Sequence, residues 1–189
     1  MSSLTVDQFA ALVVDWSKRR NDQLKFNWPV KGGWEGWIQV DLTAFVLSVD
    51  STADILREQP IYSSPGKRTD LLLNTTLDTD AQIPVEIKAE SFENRGPGFV
   101  SGVLADLSKL NDERNTNYSE STCIMLAVPF SQESRDQVEA IEFDGHRIFV
   151  RIFQGEVACA IAVWTEVDGW LSPNSEVLAA HAVSAAARG

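Results

Sequence analysis

The chain has 189 residues, 44% of them apolar and 23% charged, and a formal net charge of −11. That length suits one domain, residues 1–189, with room for a buried core. No run approaches the ~20 apolar residues of a membrane helix, the N-terminus lacks the pattern of a signal peptide, and the acidity argues against a surface that holds nucleic acid by diffuse charge. A cytoplasmic location is the expectation. Cys123 and Cys159 stand singly in apolar runs and read as buried thiols rather than a zinc site or a disulfide framework.

Phe9, Leu12, Val13 and Trp16 recur at helical spacing and predict a first helix over 4–20, ended by Asn21-Asp22, with Lys18-Arg19-Arg20 in its last turn. These basic residues, with Lys25 and Lys31, read as solvated surface. An aromatic-rich connector from Leu24 to Trp34 is broken by Pro29 and Gly32-Gly33. A second helix is predicted over 34–49, where Ile38, Leu42, Phe45 and Val49 share a face. Glu35 falls at the N-terminal end of that face, and an inward acid there needs a partner. Facing solvent, it would only favour the positive end of the helix.

Residues 55–62 form a weak strand interrupted by Pro60, and Ser63-Ser64-Pro65-Gly66 is a turn. Strands follow over 68–74 and 83–91, joined by a polar loop. The stretch 92–98, with Asn94-Arg95-Gly96-Pro97-Gly98, reads as a flap over a phosphate site or as a plain connector. A third helix over 99–113 groups Val100, Val103, Leu104, Leu107 and Leu110 on one face. The apolar run 122–130 suits a central strand buried on both sides, and 131–141 a short helix capped by Ser131 or Ser134. Residues 147–153 and 157–164 read as a β-hairpin around Gln154-Gly155-Glu156, with Ile148, Val150 and Ile152 on one face. The alanine-rich 172–188 reads as a final helix. The six tryptophans read mainly as packing, and neither His146 nor His181 stands near the acids.

Chemistry gathers in the two central strands. Asp70 heads an apolar run, and Ile83-Pro84-Val85-Glu86-Ile87-Lys88-Ala89-Glu90 places Glu86 and Lys88 on one face and Val85 and Ile87 on the other. If the strands pair, Asp70 lies beside Glu86. Two carboxylates at close range call for a cation, and oxygen ligands suit magnesium. Glu90 shares the Glu86 face, as a further ligand or as an exposed strand end. Lys67-Arg68, just before Asp70, could meet a substrate phosphate.

Asp70 followed by Glu86-x-Lys88 on an apolar strand resembles the PD-(D/E)xK nuclease superfamily, with Thr69 where the pattern has proline. The resemblance covers roughly residues 30–130. It implies a restriction-endonuclease-like α/β fold, a central mixed sheet flanked by helices, here with a C-terminal β-hairpin and helix added. It also implies a nuclease dependent on Mg2+ or Mn2+. Asp70, Glu86, Glu35 and the backbone carbonyl of Ile87 would hold the metal, Lys88 would assist the attacking water, and Lys67 and Arg68 would bind substrate. The expected partner is nucleic acid, DNA in the first instance, with no membrane. A homo-oligomer or a protein partner would supply the basic surface the chain lacks, and a role in defence or as a toxin would suit so small an enzyme. The competing expectation is a non-catalytic protein of the same fold, of immunity or adaptor type, that engages a basic protein partner.

Overall fold

The fold is built on one sheet, and the apolar alternation of its strands explains why it is covered on both faces. The computed structural model describes residues 3–31 and 34–171; the predicted helix over 172–188 lies outside them. Helix α1 (Val6–Asn27) is followed by α2 (Trp34–Val49), β1 (Ile55–Gln59), β2 (Thr69–Leu73), β3 (Ile83–Ala89), α3 (Pro97–Asp112), β4 (Cys123–Val128) and α4 (Gln132–Glu139). Five further strands complete the described chain: β5 (Glu142–Phe143), β6 (His146–Arg147), β7 (Val150–Gln154), β8 (Ala158–Thr165) and β9 (Gly169–Leu171).

The main sheet has seven strands in the order β1-β2-β3-β4-β8-β7, with β9 on the far part of β8. β3 and β4 run parallel, joined across α3, and the other pairs of this sheet are antiparallel. The fold is therefore α/β with a mixed central sheet. Val85 and Ile87 of β3, with Ile124 and Leu126 of β4, pack against α1 and α2 through Phe9, Val13, Ile38 and Leu42. The opposite face, through Met125 and Ala127, packs against Phe99, Val103 and Leu110 of α3 and Val138 of α4. Both cysteines are buried free thiols, their pKa values pushed up to about 12 by burial.

Helix α1 opens on a capping box between Thr5 and Gln8. It runs past Asn21-Asp22 to Asn27, because fully buried Leu24 continues the inward stripe of Val13 and Ser17. Asn and Asp disfavour a helix interior by only tenths of a kcal/mol, so burial of one leucine outweighs both. The basic residues 18–20 therefore lie mid-helix, Lys18 and Arg20 paired with Asp15 and Asp41. Val49 and Leu104, placed inward by spacing, are exposed. The expected common face of Ile148, Val150 and Ile152 is also broken. Ile148 precedes β7 and packs on the α3 side, while Val150 and Ile152 pack on the α1 side. Ser131 caps α4 as expected, accepting from the Ser134 amide.

Candidate active site

Beside Asp70 the sheet forks. β2 stays paired with β1 through Thr69, but its pairing with β3 stops at Leu71 opposite Val85. Two side chains take over the ladder bonds that are lost. The Thr69 hydroxyl donates to the Val85 carbonyl at 3.0 Å, and the Asp70 carboxylate accepts from the Ile87 amide at 2.6 Å. One turn of strand further on, Glu35 at the start of α2 accepts from the Ala89 amide at 3.1 Å. In a strand the N–H and C=O of one residue point to the same side, and successive residues alternate. The Glu90 amide bonds to β4 through Val128, so the odd-numbered residues turn their backbone toward the fork. The carbonyl of Ile87 therefore faces the opening that holds Asp70.

Around the fork lies a mixed-charge cluster. Lys88 bridges Glu35 at 3.2 Å and Asp106 of α3 at 3.1 Å. Lys109, one turn along α3, bridges Glu86 at 2.8 Å and Asp106 at 3.3 Å. Tyr62, delivered by the chain that leaves β1, donates its hydroxyl to Glu86, and the Lys109 ammonium lies 5.1 Å from its ring centroid. Gln39 of α2 donates to Asp70 at 2.6 Å while accepting from Arg57 at 2.7 Å. Four carboxylates thus face two ammonium groups, an excess of negative charge in a poorly hydrated place.

The titration behaviour follows from that excess. Burial, and next the charge of Glu86, push the Asp70 carboxyl up to about 8, although the Ile87 amide and Lys109 pull the other way. Glu86, only 1% exposed, is raised by burial against the pull of Lys109 and Tyr62. Burial works to lower both lysines, but Glu35 and Asp106 outweigh it at Lys88, as Glu86 and Asp106 do at Lys109, and both are raised. The lysines are held as cations. Asp70 and Glu86 are the groups that resist ionising.

Of the residues singled out in sequence, Asp70, Glu86, Lys88, Glu35 and the Ile87 carbonyl converge. Both Glu35 oxygens are engaged, by Lys88 and by the Ala89 amide. Lys67 pairs with Glu113 at the end of α3, and Arg68 is exposed beside it. Sequence reading missed Asp106, Lys109, Tyr62 and Gln39. The signal for Asp106 was present, since Phe99, Val103, Asp106 and Leu110 recur at helical spacing, yet a charged residue in that series is easily assigned to the surface.

Glu90 proves to be neither exposed nor in the cluster. Fully buried, it accepts from the Phe130 amide at 2.7 Å and from the Ser131 amide and hydroxyl, each at 2.8 Å. It holds the turn between β4 and α4. Glu90→Ala would leave two half-buried amides and a hydroxyl without their acceptor and is expected to lower stability by about 3 kcal/mol, with Glu90→Gln in between. Chemical denaturation of the three proteins checks this, and equal midpoints would refute it.

Comparison with known proteins finds no matching family model, no matching curated protein and no matching solved structure. The fit of a metal has to be judged on the donors themselves. Among the described residues no three Asp, Glu, His or Cys side chains form a group that could hold a metal ion. Magnesium is commonly held by one or two carboxylates, with water and phosphate oxygens completing its shell. Asp70, Glu86 and the Ile87 carbonyl are oxygen donors of that kind, although each of the four carboxylate oxygens already accepts one hydrogen bond, from Gln39, the Ile87 amide, Tyr62 and Lys109.

Proposed function

We propose that the chain is a metal-dependent nuclease that hydrolyses phosphodiester bonds, with DNA as the expected substrate. The observation that carries the reading is the fork, which sets a half-buried, reluctantly ionised Asp70 beside Glu86 and the Ile87 carbonyl, with the Lys88 ammonium on the same strand face. Asp70, Glu86 and the Ile87 carbonyl would hold Mg2+ or Mn2+, and Glu35 fixes Lys88. When bound, such a metal supplies an acidified water and neutralises charge on the phosphoryl group.

The chain's own residues do the rest. Lys88, tethered on two sides by Glu35 and Asp106, offers a fixed positive charge to a phosphoryl oxygen or orients the attacking water. Gln39 and the Ile87 amide hold Asp70 in one orientation. Tyr62 and Lys109 do the same for Glu86.

The test is cleavage of supercoiled plasmid, single-stranded DNA and RNA by the purified chain, with Mg2+ or Mn2+ and with chelator. Cleavage that requires metal and disappears in Lys88→Ala is the expected result. A thermal melt under the same conditions should shift upward with metal, because a ligand of the folded state stabilises it by mass action. The net charge of −11 favours a second reading, an acidic scaffold for a basic protein. A folded chain with no cleavage and no metal-dependent shift would overturn the nuclease and leave that one standing.

A further inference from the structure

The hydrogen bonds that fill Asp70 and Glu86 are not equivalent. Three of the donors are neutral: the Gln39 amide, the Ile87 amide and the Tyr62 hydroxyl. The fourth is the Lys109 ammonium, 2.8 Å from Glu86 Oε2. A carboxylate oxygen has two lone pairs, so a neutral donor and a metal ion can share it. An ammonium and a divalent cation share it far less readily. Magnesium binds oxygen at about 2.1 Å, which would set the two positive charges less than ~5 Å apart on Oε2, where like charges repel strongly away from bulk water.

The four donors also differ in their freedom to move. The Ile87 amide is main chain in β3. Gln39 is buried, and its own oxygen accepts from Arg57 at 2.7 Å. Tyr62 is buried in the core on the α3 side of the sheet. Lys109 sits in the last turn of α3 on a flexible four-carbon stem, its side chain 19% exposed. It has a second acceptor in Asp106, at 3.3 Å and one turn back on the same helix. Leaving Glu86 would therefore not strand it. Charge and mobility select the same group. The charges of the cluster fit as well: with Glu35, Asp70, Glu86 and Asp106 all ionised against Lys88 and Lys109, the surplus is two negative charges, which one divalent cation cancels.

We propose that Lys109 is the built-in cation of this site. It holds Glu86 in the metal-free chain, and a divalent metal enters by exchange with its ammonium, which withdraws to Asp106. The inference rests on the nuclease reading for the metal and adds a threshold to it, because metal must outcompete a cation that belongs to the fold.

The experiment uses the whole chain. Mn2+ binding is followed by the electron paramagnetic resonance of the free ion, with Mg2+ as competitor, for the unaltered chain, Lys109→Met and Lys88→Met. Lys109→Met should bind metal at least about tenfold more tightly, the factor expected when one charge-assisted hydrogen bond no longer has to be given up. Lys88→Met removes the same charge from the same cluster, but from Glu35 and Asp106, and should gain clearly less. The unaltered chain supplies a second readout that does not depend on how well a variant folds. In side-chain 15N–1H NMR spectra, saturating Mg2+ should move the Lys109 ammonium signal toward that of a solvent-exposed lysine. Metal bound with that signal unmoved, or a gain in Lys109→Met no larger than in Lys88→Met, would overturn the exchange and keep the nuclease. Binding by Lys109→Met alone would support the built-in cation and overturn the nuclease for the natural chain. No binding by any of the three would overturn both.

Discussion

Asp70→Asn is expected to lower metal-dependent cleavage at least about a hundredfold, roughly 3 kcal/mol of transition-state stabilisation, while making the metal-free protein more stable at neutral pH. Both effects come from the same burial. In the folded chain the carboxyl titrates near 8, far above its unfolded value of about 3.9. Below about pH 4 both states hold the proton and the group costs nothing. As pH rises toward 8 the unfolded chain ionises freely and the folded chain resists, so stability falls through that window by an amount on the order of a few kcal/mol. Asparagine has no proton to lose. It gives the Ile87 amide and Gln39 one acceptor in place of two, at a cost of about 1 kcal/mol. Melts of both proteins in chelator from pH 5 to pH 8 should show a gap that widens with pH in favour of the variant. A constant gap would show that Asp70 ionises as an ordinary surface acid.

Lys109→Met is expected to destabilise the fold by about 3–5 kcal/mol, the usual consequence of breaking one side of a buried ion pair. Methionine keeps the helix propensity and most of the side-chain length, so the loss is one of charge. It leaves Glu86, 1% exposed, with only the Tyr62 hydroxyl, and leaves Asp106 to Lys88 alone. Adding Glu86→Gln should recover most of the loss, since the double variant buries no uncompensated charge. Guanidinium denaturation of the two single variants and the double variant is the measurement. Additive losses would mean that Lys109 and Glu86 stabilise the fold independently.

The elements that sequence defined well were those where one periodicity acted alone. The apolar spacing from Ile38 to Phe45 gives α2, and the alternation from Ile83 to Ala89 gives β3 and puts Glu86 and Lys88 on one face. Failures came where a distant contact decided the outcome. The end of α1 depends on the burial of Leu24 rather than on Asn21-Asp22, and the break before β7 sends Ile148 to a different core from Val150. The candidate site divides the same way. Its acids and Lys88 follow from local pattern and resemblance. The partners that hold them, Tyr62, Gln39, Asp106 and Lys109, come from three different places in the chain, the last two from one turn of α3. Glu90 shows the limit most clearly, since its spacing groups it with Glu86 while its three hydrogen bonds belong to the turn after β4.

The fork also bears on solubility. Past Val85 the edge of β3 carries backbone groups that β2 no longer covers, and a bare strand edge is a template for another chain to add to. Here the amides of Ile87 and Ala89 are taken by the carboxylates of Asp70 and Glu35. An incoming strand would have to displace two acids to pair there. Two residues proposed for the site, Asp70 and Glu35, therefore also guard the edge against self-association, and a chain that lost both would gain a sticky seam in the middle of its sheet.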